Sequence, residues 1–162
     1  MKNKGAKMKK INYKKLLFYI IITFIIGVVP SIPIFKNMNI YSSLNKPPLS
    51  PPKLVFPIAW SILYILMAIS LYIVTNKSSV SHKKDKLIYF IQLVTNALWT
   101  PIFFGLKAYL LSYIWILLLI VFVIIMILEF YKTNKVSAYI QIPYLLWLIF
   151  ASYLNYGVLI LN

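Results

Sequence analysis

Several residue types are missing or rare in this chain of 162 residues, which has no cysteine, no arginine, two acidic residues and one histidine. Without cysteine there is no disulfide, no thiolate nucleophile and no sulfur-ligated metal. Asp85 and His82 fall in a lysine-rich segment that we expect to be a solvated loop, and Glu129 is distant in sequence. No nucleophile, base and orienting group converge, so we predict no conventional catalytic site, no metal site and no required cofactor.

Apolar residues dominate what remains. Hydrophobic residues make up 62% of the chain and charged residues 12%, and the mean hydropathy is +0.84. Soluble domains average roughly 45–50% apolar and 25% charged residues, so the sequence indicates an all-α integral membrane protein. A span needs about 20 mostly apolar residues, and five segments qualify within what we expect to be one domain, residues 1–162. These segments are approximately residues 16–34, 54–74, 87–104, 109–130 and 136–161.

Positive charge is abundant, with 17 lysines and a net charge of +15. Thirteen lysines precede the first span or lie between spans two and three or four and five, and four lie on the opposite side. The positive-inside rule therefore predicts a cytoplasmic amino terminus, an external carboxyl terminus and, in a bacterium, residence in the plasma membrane. The lysines are expected to contact anionic lipid rather than nucleic acid, whose readers favour the bidentate fork of arginine.

Prolines mark the joints between the predicted helices. The stretch NKPPLSPP, residues 45–52, is too rich in proline to be helical and predicts a stiff, long, proline-rich loop between helices one and two. Pro57, Pro101 and Pro143 fall within or at the ends of spans two, three and five, where we expect kinks that widen the bundle. The other connections are short, so consecutive helices are expected to be antiparallel neighbours.

Three tryptophans, Trp60, Trp99 and Trp147, lie in long apolar stretches beside residues that a lipid-facing helix does not need. At about 100° per residue, each shares a helix face with small, aromatic or hydrogen-bonding side chains. In the order of the tryptophans, these neighbours are Pro57, Ser61, Tyr64 and Ala68; Gln92, Thr95, Asn96 and Phe103; and Tyr144, Ala151 and Asn155. Such faces are typical of a concave small-molecule site inside a bundle.

Three blocks of sequence carry a resemblance to a known family. They comprise Lys46, Pro47, Pro48, Pro51, Pro52, Phe56, Trp60, Leu63 and Tyr64; then Asn96, Trp99, Pro101, Phe103, Phe104 and Gly105; then Pro143, Tyr144, Leu145, Trp147, Phe150, Ala151, Leu154 and Asn155. In these blocks the chain resembles the TspO/MBR family, the tryptophan-rich sensory proteins that include the mitochondrial translocator protein. It departs from many members at Leu49, where they have tryptophan, and at Pro57, where they have glycine.

The resemblance implies a single five-helix bundle that binds tetrapyrroles such as protoporphyrin IX, and synthetic isoquinoline carboxamide and benzodiazepine ligands. It implies a pocket closed by the first loop and built from Tyr41, Trp60, Tyr64, Asn96, Trp147 and Ala151. Trp99 is a further candidate for the pocket, although packing beside Pro101 explains it as well. Trp115 is interpreted as a lipid-facing or packing residue, and Gln92 and Asn155 as bridges between helices.

Three functions stay open at this point. The first is a tetrapyrrole-binding membrane protein that acts as sensor, scavenger or carrier, which we favour. The second is light- and oxygen-dependent porphyrin degradation, in which Trp60 and Trp147 are the candidate catalytic residues and act as oxidisable partners of the porphyrin. The third is a passive transporter or an interaction scaffold. The oligomeric state stays open between a monomer and a homodimer, because the chain has no G-x-x-x-G motif, which would favour a helix dimer.

Overall fold

The computed structural model describes residues 11–33, 40–76 and 81–162 of the chain. The described residues form helices and connecting turns, and they contain no strand. In chain order the helices are α1 (Tyr13–Val28), α2 (Ile40–Ser43), α3 (Val55–Thr75), α4 (Lys83–Thr100), a π-helical turn (Pro101–Gly105), α5 (Tyr109–Thr133), α6 (Lys135–Ile140) and α7 (Ile142–Leu161).

Five stretches of helix are long and apolar enough to cross a membrane, which confirms the expected all-α membrane bundle. They are Tyr13–Pro33, Val55–Thr75, Lys83–Gly105, Tyr109–Thr133 and Lys135–Leu161. The largest difference from the sequence analysis is at the third, which begins at residue 83 rather than 87. Of the lysines placed in the preceding loop, Lys83, Lys84 and Lys86 therefore lie in the first turn of α4, where long side chains can keep their ammonium groups in water.

Two of the helices begin at asparagine caps that the sequence analysis did not use. Asn12 Oδ1 accepts a hydrogen bond from the Lys15 backbone N–H at 3.1 Å and starts α1. Asn134 adopts an extended conformation, and its side chain accepts bonds from the N–H groups of Val136 and Ser137. An asparagine at this position satisfies amide groups that the first helical turn leaves free, so Asn134 ends α5 and starts α6 within one residue.

Kinks were expected at the three membrane prolines, but two of these prolines lie in the first turn of a helix and the third begins a π-helical turn. Pro57 lies in the first turn of α3, where its missing N–H costs no helical hydrogen bond. Pro143 follows the break at Gln141 that divides the last span into α6 and α7, and also lies in a first turn. Pro101 is inside the third span and begins the π-helical turn, in which the Leu106 N–H donates to the Pro101 carbonyl.

The helices pack in a ring, and the last span divides its contacts between two neighbours. Helix α1 packs on α3 and α4, α4 on α5, and α5 on α6 and α7. The short helix α6 packs against α3, whereas α7 lies mainly against α5. Beyond the Gln141 break, the backbones of α3 and α7 therefore diverge, and a space opens at the end of the bundle where residues 44–54 connect α2 to α3. We call this the loop end, and the opposite end the amino-terminal end.

The predicted solvation of His82 and Asp85 at the amino-terminal end is wrong. Asp85 lies in the first turn of α4 and is only 2% exposed. His82 Nδ1 lies 3.2 Å from one Asp85 oxygen, and the Thr133 hydroxyl donates to the same carboxylate at 3.3 Å. The group joins the start of α4 to the end of α5, and a carboxylate in a first helical turn is stabilised by the helix dipole. The lysine-rich composition hid a structural role for these residues.

Candidate functional site

A cavity of about 520 Å³ occupies the loop end of the bundle, between α1, α3, the π-helical turn and α7. Its lining is mainly apolar. The lining residues are Phe24, Gly27, Val28, Ser31, Tyr41, Lys53, Leu54, Phe56, Pro57, Trp60, Ser61, Tyr64, Asn96, Trp99, Thr100, Phe103, Phe104, Ala151, Leu154, Asn155 and Val158. A second, much smaller void of about 20 Å³ is lined in part by Trp60, Asn96, Trp99, Trp147 and Ala151.

Helix α1 supplies one wall of the cavity, a contribution that the sequence analysis missed. Phe24, Gly27 and Val28 of α1 line it, as does Ser31 in the turn that directly continues the helix. Their spacing of three, one and three residues places them on one helical face. At Gly27 the helix backbone approaches α3 closely, because a Cβ atom built there would lie 2.5 Å from Cζ of Tyr64. The stripe was readable in the sequence, but span one has no tryptophan to draw attention to it.

The indole of Trp60 stands at the boundary between the cavity and the smaller void. Its ring centroid is 5.6 Å from that of Tyr64 and 6.5 Å from that of Trp147, the latter pair nearly perpendicular at 84°. Trp147 is also in edge contact with Phe56, at 6.1 Å. Edge-to-face pairs of this kind are favourable beyond the area they bury. Side chains thus join α3 to α7 where the two backbones are apart.

The π-helical turn builds the aromatic wall on the α4 side. Phe103 and Phe104 are consecutive residues, yet both are buried and both line the cavity. The Trp99 ring stacks on Phe103 at 5.0 Å and meets Phe104 edge-on at 6.2 Å. A π-helical turn has one more residue than an α-helical turn, which brings neighbouring side chains closer to one face. Such turns are frequent at functional sites.

Buried polar side chains form a hydrogen-bonded chain at the deep side of the cavity. The Tyr64 hydroxyl lies 3.1 Å from Asn96 Oδ1 and 3.2 Å from the Gly27 carbonyl. Asn96 Nδ2 donates to the Tyr144 hydroxyl at 2.9 Å, which donates in turn to Gln92 Oε1 at 3.1 Å. Both hydrogen-bonding groups of the Asn96 amide are therefore engaged. Connected networks of this kind hold their members in one arrangement.

Residues 44–54 fix one edge of the cavity and are fastened to α7. The Tyr153 hydroxyl donates to the Pro48 carbonyl at 2.9 Å, and Asn162 exchanges two hydrogen bonds with the Asn45 backbone, at 3.0 and 2.9 Å. Pro47 packs directly on Gly157, where any side chain would collide with its ring. The predicted loop includes residues 35–39, which lie outside the described residues.

Tyr41 connects this segment to the cavity. Its ring lines the wall and meets Phe56 edge-on at 5.2 Å, and its hydroxyl donates to the Pro51 carbonyl at 3.0 Å. Burial raises the pKa of the Tyr41 hydroxyl above its ordinary value of 10.0, and a hydrogen bond with Ser50 partly offsets the change. The hydroxyl therefore stays protonated at neutral pH and remains a hydrogen-bond donor.

Two lysines near the cavity are in different situations. The Lys46 ammonium donates to the Tyr41 carbonyl at 3.0 Å and lies 5.0 Å above the Tyr41 ring. Lys53 lines the cavity itself. Asp85 and Glu129, the two acidic residues of the whole sequence, lie at the amino-terminal end of the bundle. Lys53 thus supplies positive charge at the cavity, and neither acidic side chain lies at this end of the bundle.

Six of the seven predicted ligand-binding residues line the cavity; they are Tyr41, Trp60, Tyr64, Asn96, Trp99 and Ala151. The seventh, Trp147, lines only the smaller void. Asn155 makes the expected interhelical hydrogen bond, to Ser112, but it also lines the cavity. Thr95, predicted to share the Trp99 face, is not a lining residue: its hydroxyl donates to the Ile91 carbonyl at 2.8 Å. Its own carbonyl accepts a hydrogen bond from the Trp115 indole at 2.8 Å.

Comparison with known proteins shows the family of the chain. The sequence profile of the TspO/MBR family matches residues 18–161. The chain is 36% identical to the tryptophan-rich protein TspO of Chlorobaculum tepidum over 127 residues, covering 75% of this chain and 78% of that protein. It is 35% identical to the TspO of Archaeoglobus fulgidus over 152 residues, covering 93% and 99%. It is also 30% identical to the translocator protein of Ovis aries over 119 residues, covering 72% and 70%. The protein is a member of the TspO/MBR family of membrane proteins.

Proposed function

We propose that the protein binds tetrapyrroles such as protoporphyrin IX in the cavity at the loop end, and acts as a sensor, scavenger or carrier of such pigments. The observation that carries this proposal is a space of about 520 Å³ with mainly aromatic and aliphatic walls. Small-molecule sites typically have volumes of about 300–1,000 Å³, apolar linings and few polar groups. Isoquinoline carboxamide and benzodiazepine ligands suit the same description, and we expect them to compete for the site.

The positions of the aromatic rings support a flat ligand. A porphyrin has two large apolar faces, and indole or phenol rings can stack on such a face or meet its edge. Trp60 and Tyr64 offer rings from α3, and Trp99 and Phe103 offer them from the α4 side. Each favourable aromatic contact contributes about 0.5–1.5 kcal/mol beyond the burial of area.

The charge at the cavity supports a ligand with carboxylates. We assign the porphyrin propionates to Lys53, because the Lys46 ammonium is already engaged by the Tyr41 carbonyl. The distribution of lysines supports a bacterial plasma membrane with a cytoplasmic amino terminus, so that the cavity opens near the external surface. A ligand would then bind from the outside or from the outer leaflet.

Quenching of tryptophan fluorescence by protoporphyrin IX tests the proposal directly. We expect saturable quenching of the purified protein in detergent, and a loss of affinity of about 3- to 10-fold in Trp60→Phe. Trp115→Phe is the matched control, since its indole bonds the Thr95 carbonyl and does not line the cavity. No saturable binding by the unaltered protein, or equal losses in both variants, would reject a tetrapyrrole site in this cavity.

A second candidate function is light- and oxygen-dependent porphyrin degradation, and one observation favours it. Trp60 lies on the cavity wall in contact with three further oxidisable rings, those of Tyr64, Tyr144 and Trp147, at 5.6, 6.1 and 6.5 Å. Here the porphyrin absorbs the light, dioxygen is the oxidant and a tryptophan is the oxidisable partner. Illumination under air should then yield a new pigment, absent in the dark or under argon and lost in Trp60→Phe and Trp147→Phe.

The interior of the bundle bears on the remaining alternative, passive transport or a scaffold role. Beyond the polar chain, fully buried side chains fill the described core, among them Met67, Leu71, Tyr89 and Leu93. This packing supports a binding site rather than an open pore. Flux of porphyrin into proteoliposomes would favour a carrier, and binding without flux would favour a sensor or scavenger.

A further inference from the structure

The small void beside the cavity lies inside the bundle and has an almost entirely apolar lining. Four of its lining residues do not line the cavity, namely Ile116, Leu119, Trp147 and Leu148. Ile116, Leu119 and Leu148 are each at most 2% exposed, so the bundle encloses the void on this side. The remaining lining residues, among them Trp60 and Trp99, also line the cavity, so the two spaces adjoin.

The arrangement of the aromatic rings explains why this space is left open. The rings of Trp60 and Trp147 meet at 84°, with their centroids 6.5 Å apart. Two flat rings at a right angle leave a corner between them that other side chains have to fill if the interior is to be close-packed. Ala151 lines the void with a single methyl group. The void therefore has its origin in the same separation of α3 from α7 that opens the cavity.

Size and polarity decide what the void can hold. A space needs about 10–15 Å³ to hold one water-sized molecule, so a void of about 20 Å³ has room for one small molecule. A buried water typically makes 2–4 hydrogen bonds to polar groups. Here protein atoms cover Nε1 of Trp99 and of Trp147, and both groups of the Asn96 amide already have partners. The void is therefore dry, and it suits a small apolar molecule.

We propose that the void binds dioxygen. Dioxygen is uncharged, apolar and diatomic, and transfer of such a molecule from water to apolar surroundings is favourable, so the bilayer around the bundle can supply it. The assignment to dioxygen rests on the second candidate function, in which an excited porphyrin in the cavity needs this oxidant. The void holds dioxygen unchanged beside Trp60, whose ring separates the two spaces, and beside Trp147, which lines the void and not the cavity.

Xenon is a suitable probe, because it is similar to dioxygen in size and occupies dry apolar cavities in proteins. In crystals of the full chain pressurised with xenon, we expect anomalous density in the void, beside Trp147 and Leu148. Leu119→Phe should abolish this density, because the larger side chain takes up the space. Leu154→Phe is the matched control, since Leu154 lines the cavity and not the void, and the density should persist there.

Leu148→Ala is a second variant in case Leu119→Phe does not fold. It removes atoms from a fully buried side chain and enlarges the void, so xenon occupancy should rise. The proposal is wrong if the unaltered protein has no xenon density in the void. It is also wrong if the density is unchanged in a folded Leu119→Phe or Leu148→Ala protein.

The oxygen dependence of porphyrin conversion tests the assignment to dioxygen. With protoporphyrin IX bound and illuminated, Leu119→Phe should raise the oxygen pressure that gives half-maximal conversion and leave porphyrin affinity unchanged. Leu154→Phe should leave that oxygen pressure unchanged. An unaltered oxygen requirement in Leu119→Phe would show that the oxidant does not come from the void. If the unaltered protein converts no porphyrin, the second candidate function fails instead, and the xenon density alone decides whether the void binds a small apolar gas.

Discussion

At the scale of single residues, the stripe on α1 determines how the deep side of the cavity is built. Gly27 has no room for a side chain, because Tyr64 lies against its backbone and bonds Asn96 from there. The tryptophan faces were predictable, since their partners recur at helical spacing. The Gly27 contact was not, because periodicity places a residue on a face but does not say which neighbouring helix that face meets.

Gly27→Ala is expected to lower both stability and ligand affinity. The new methyl group would lie 2.5 Å from Cζ and 2.8 Å from the hydroxyl of Tyr64, so we expect the ring to move and its hydrogen bond with Asn96 to weaken. Overpacking of this kind costs about 1–3 kcal/mol. Thermal unfolding in detergent measures the loss, and Gly105→Ala, at an exposed glycine, is the control. Equal unfolding temperatures for both variants would show that Tyr64 is not held as described.

At the scale of elements, the helix geometry at Pro101 and at Gln141 was not predicted from the sequence. A kink was expected at Pro101, and the structure has a π-helical turn, in which bonds reach five residues back. Proline has no N–H for the usual bond, but the choice between a bend and a wider turn depends on tertiary packing, here the burial of Phe103 and Phe104 against Val158 of α7. The nearby Pro143 is the one sequence feature that indicates the helix break at Gln141.

Docking of residues 44–54 on α7 gives the second prediction. Gly157→Ala places a methyl group where the Pro47 ring now lies, so the segment must shift and move Tyr41, which lines the cavity. We expect ligand dissociation to be about 5-fold faster or more, as about 1 kcal/mol of overpacking is relieved by displacement of the segment. Stopped-flow release of protoporphyrin IX measures this rate. Tyr153→Phe removes one exposed hydrogen bond from the same contact and should change the rate by less than about 2-fold. The reverse order would place the restraint at Tyr153 instead.

At the scale of the whole molecule, the number and type of helices followed from composition, because 30 Å of hydrocarbon requires a fixed length of apolar helix. Composition did not predict how the helices pack into a closed ring. The pairing of α6 with α3 and of α7 with α5 depends on contacts between residues distant in sequence, and the cavity exists because those pairings differ. Apolar residues alone cannot specify such pairings, since lipid and helix surfaces are equally apolar.

Membrane orientation is the property of the whole molecule that the lysines predict, with thirteen on one side and four on the other. The chain has no cysteine, so a single introduced cysteine reports which side it faces. Leu49 is 80% exposed at the loop end, and the Lys132 side chain is 71% exposed at the amino-terminal end. In intact bacterial cells, a membrane-impermeant maleimide should label Leu49→Cys and leave Lys132→Cys unlabelled until the membrane is permeabilised. The unaltered chain controls for background. Labelling of Lys132→Cys in intact cells would reverse the orientation and place the cavity near the cytoplasm, where a ligand would have to come from the cell's own pool.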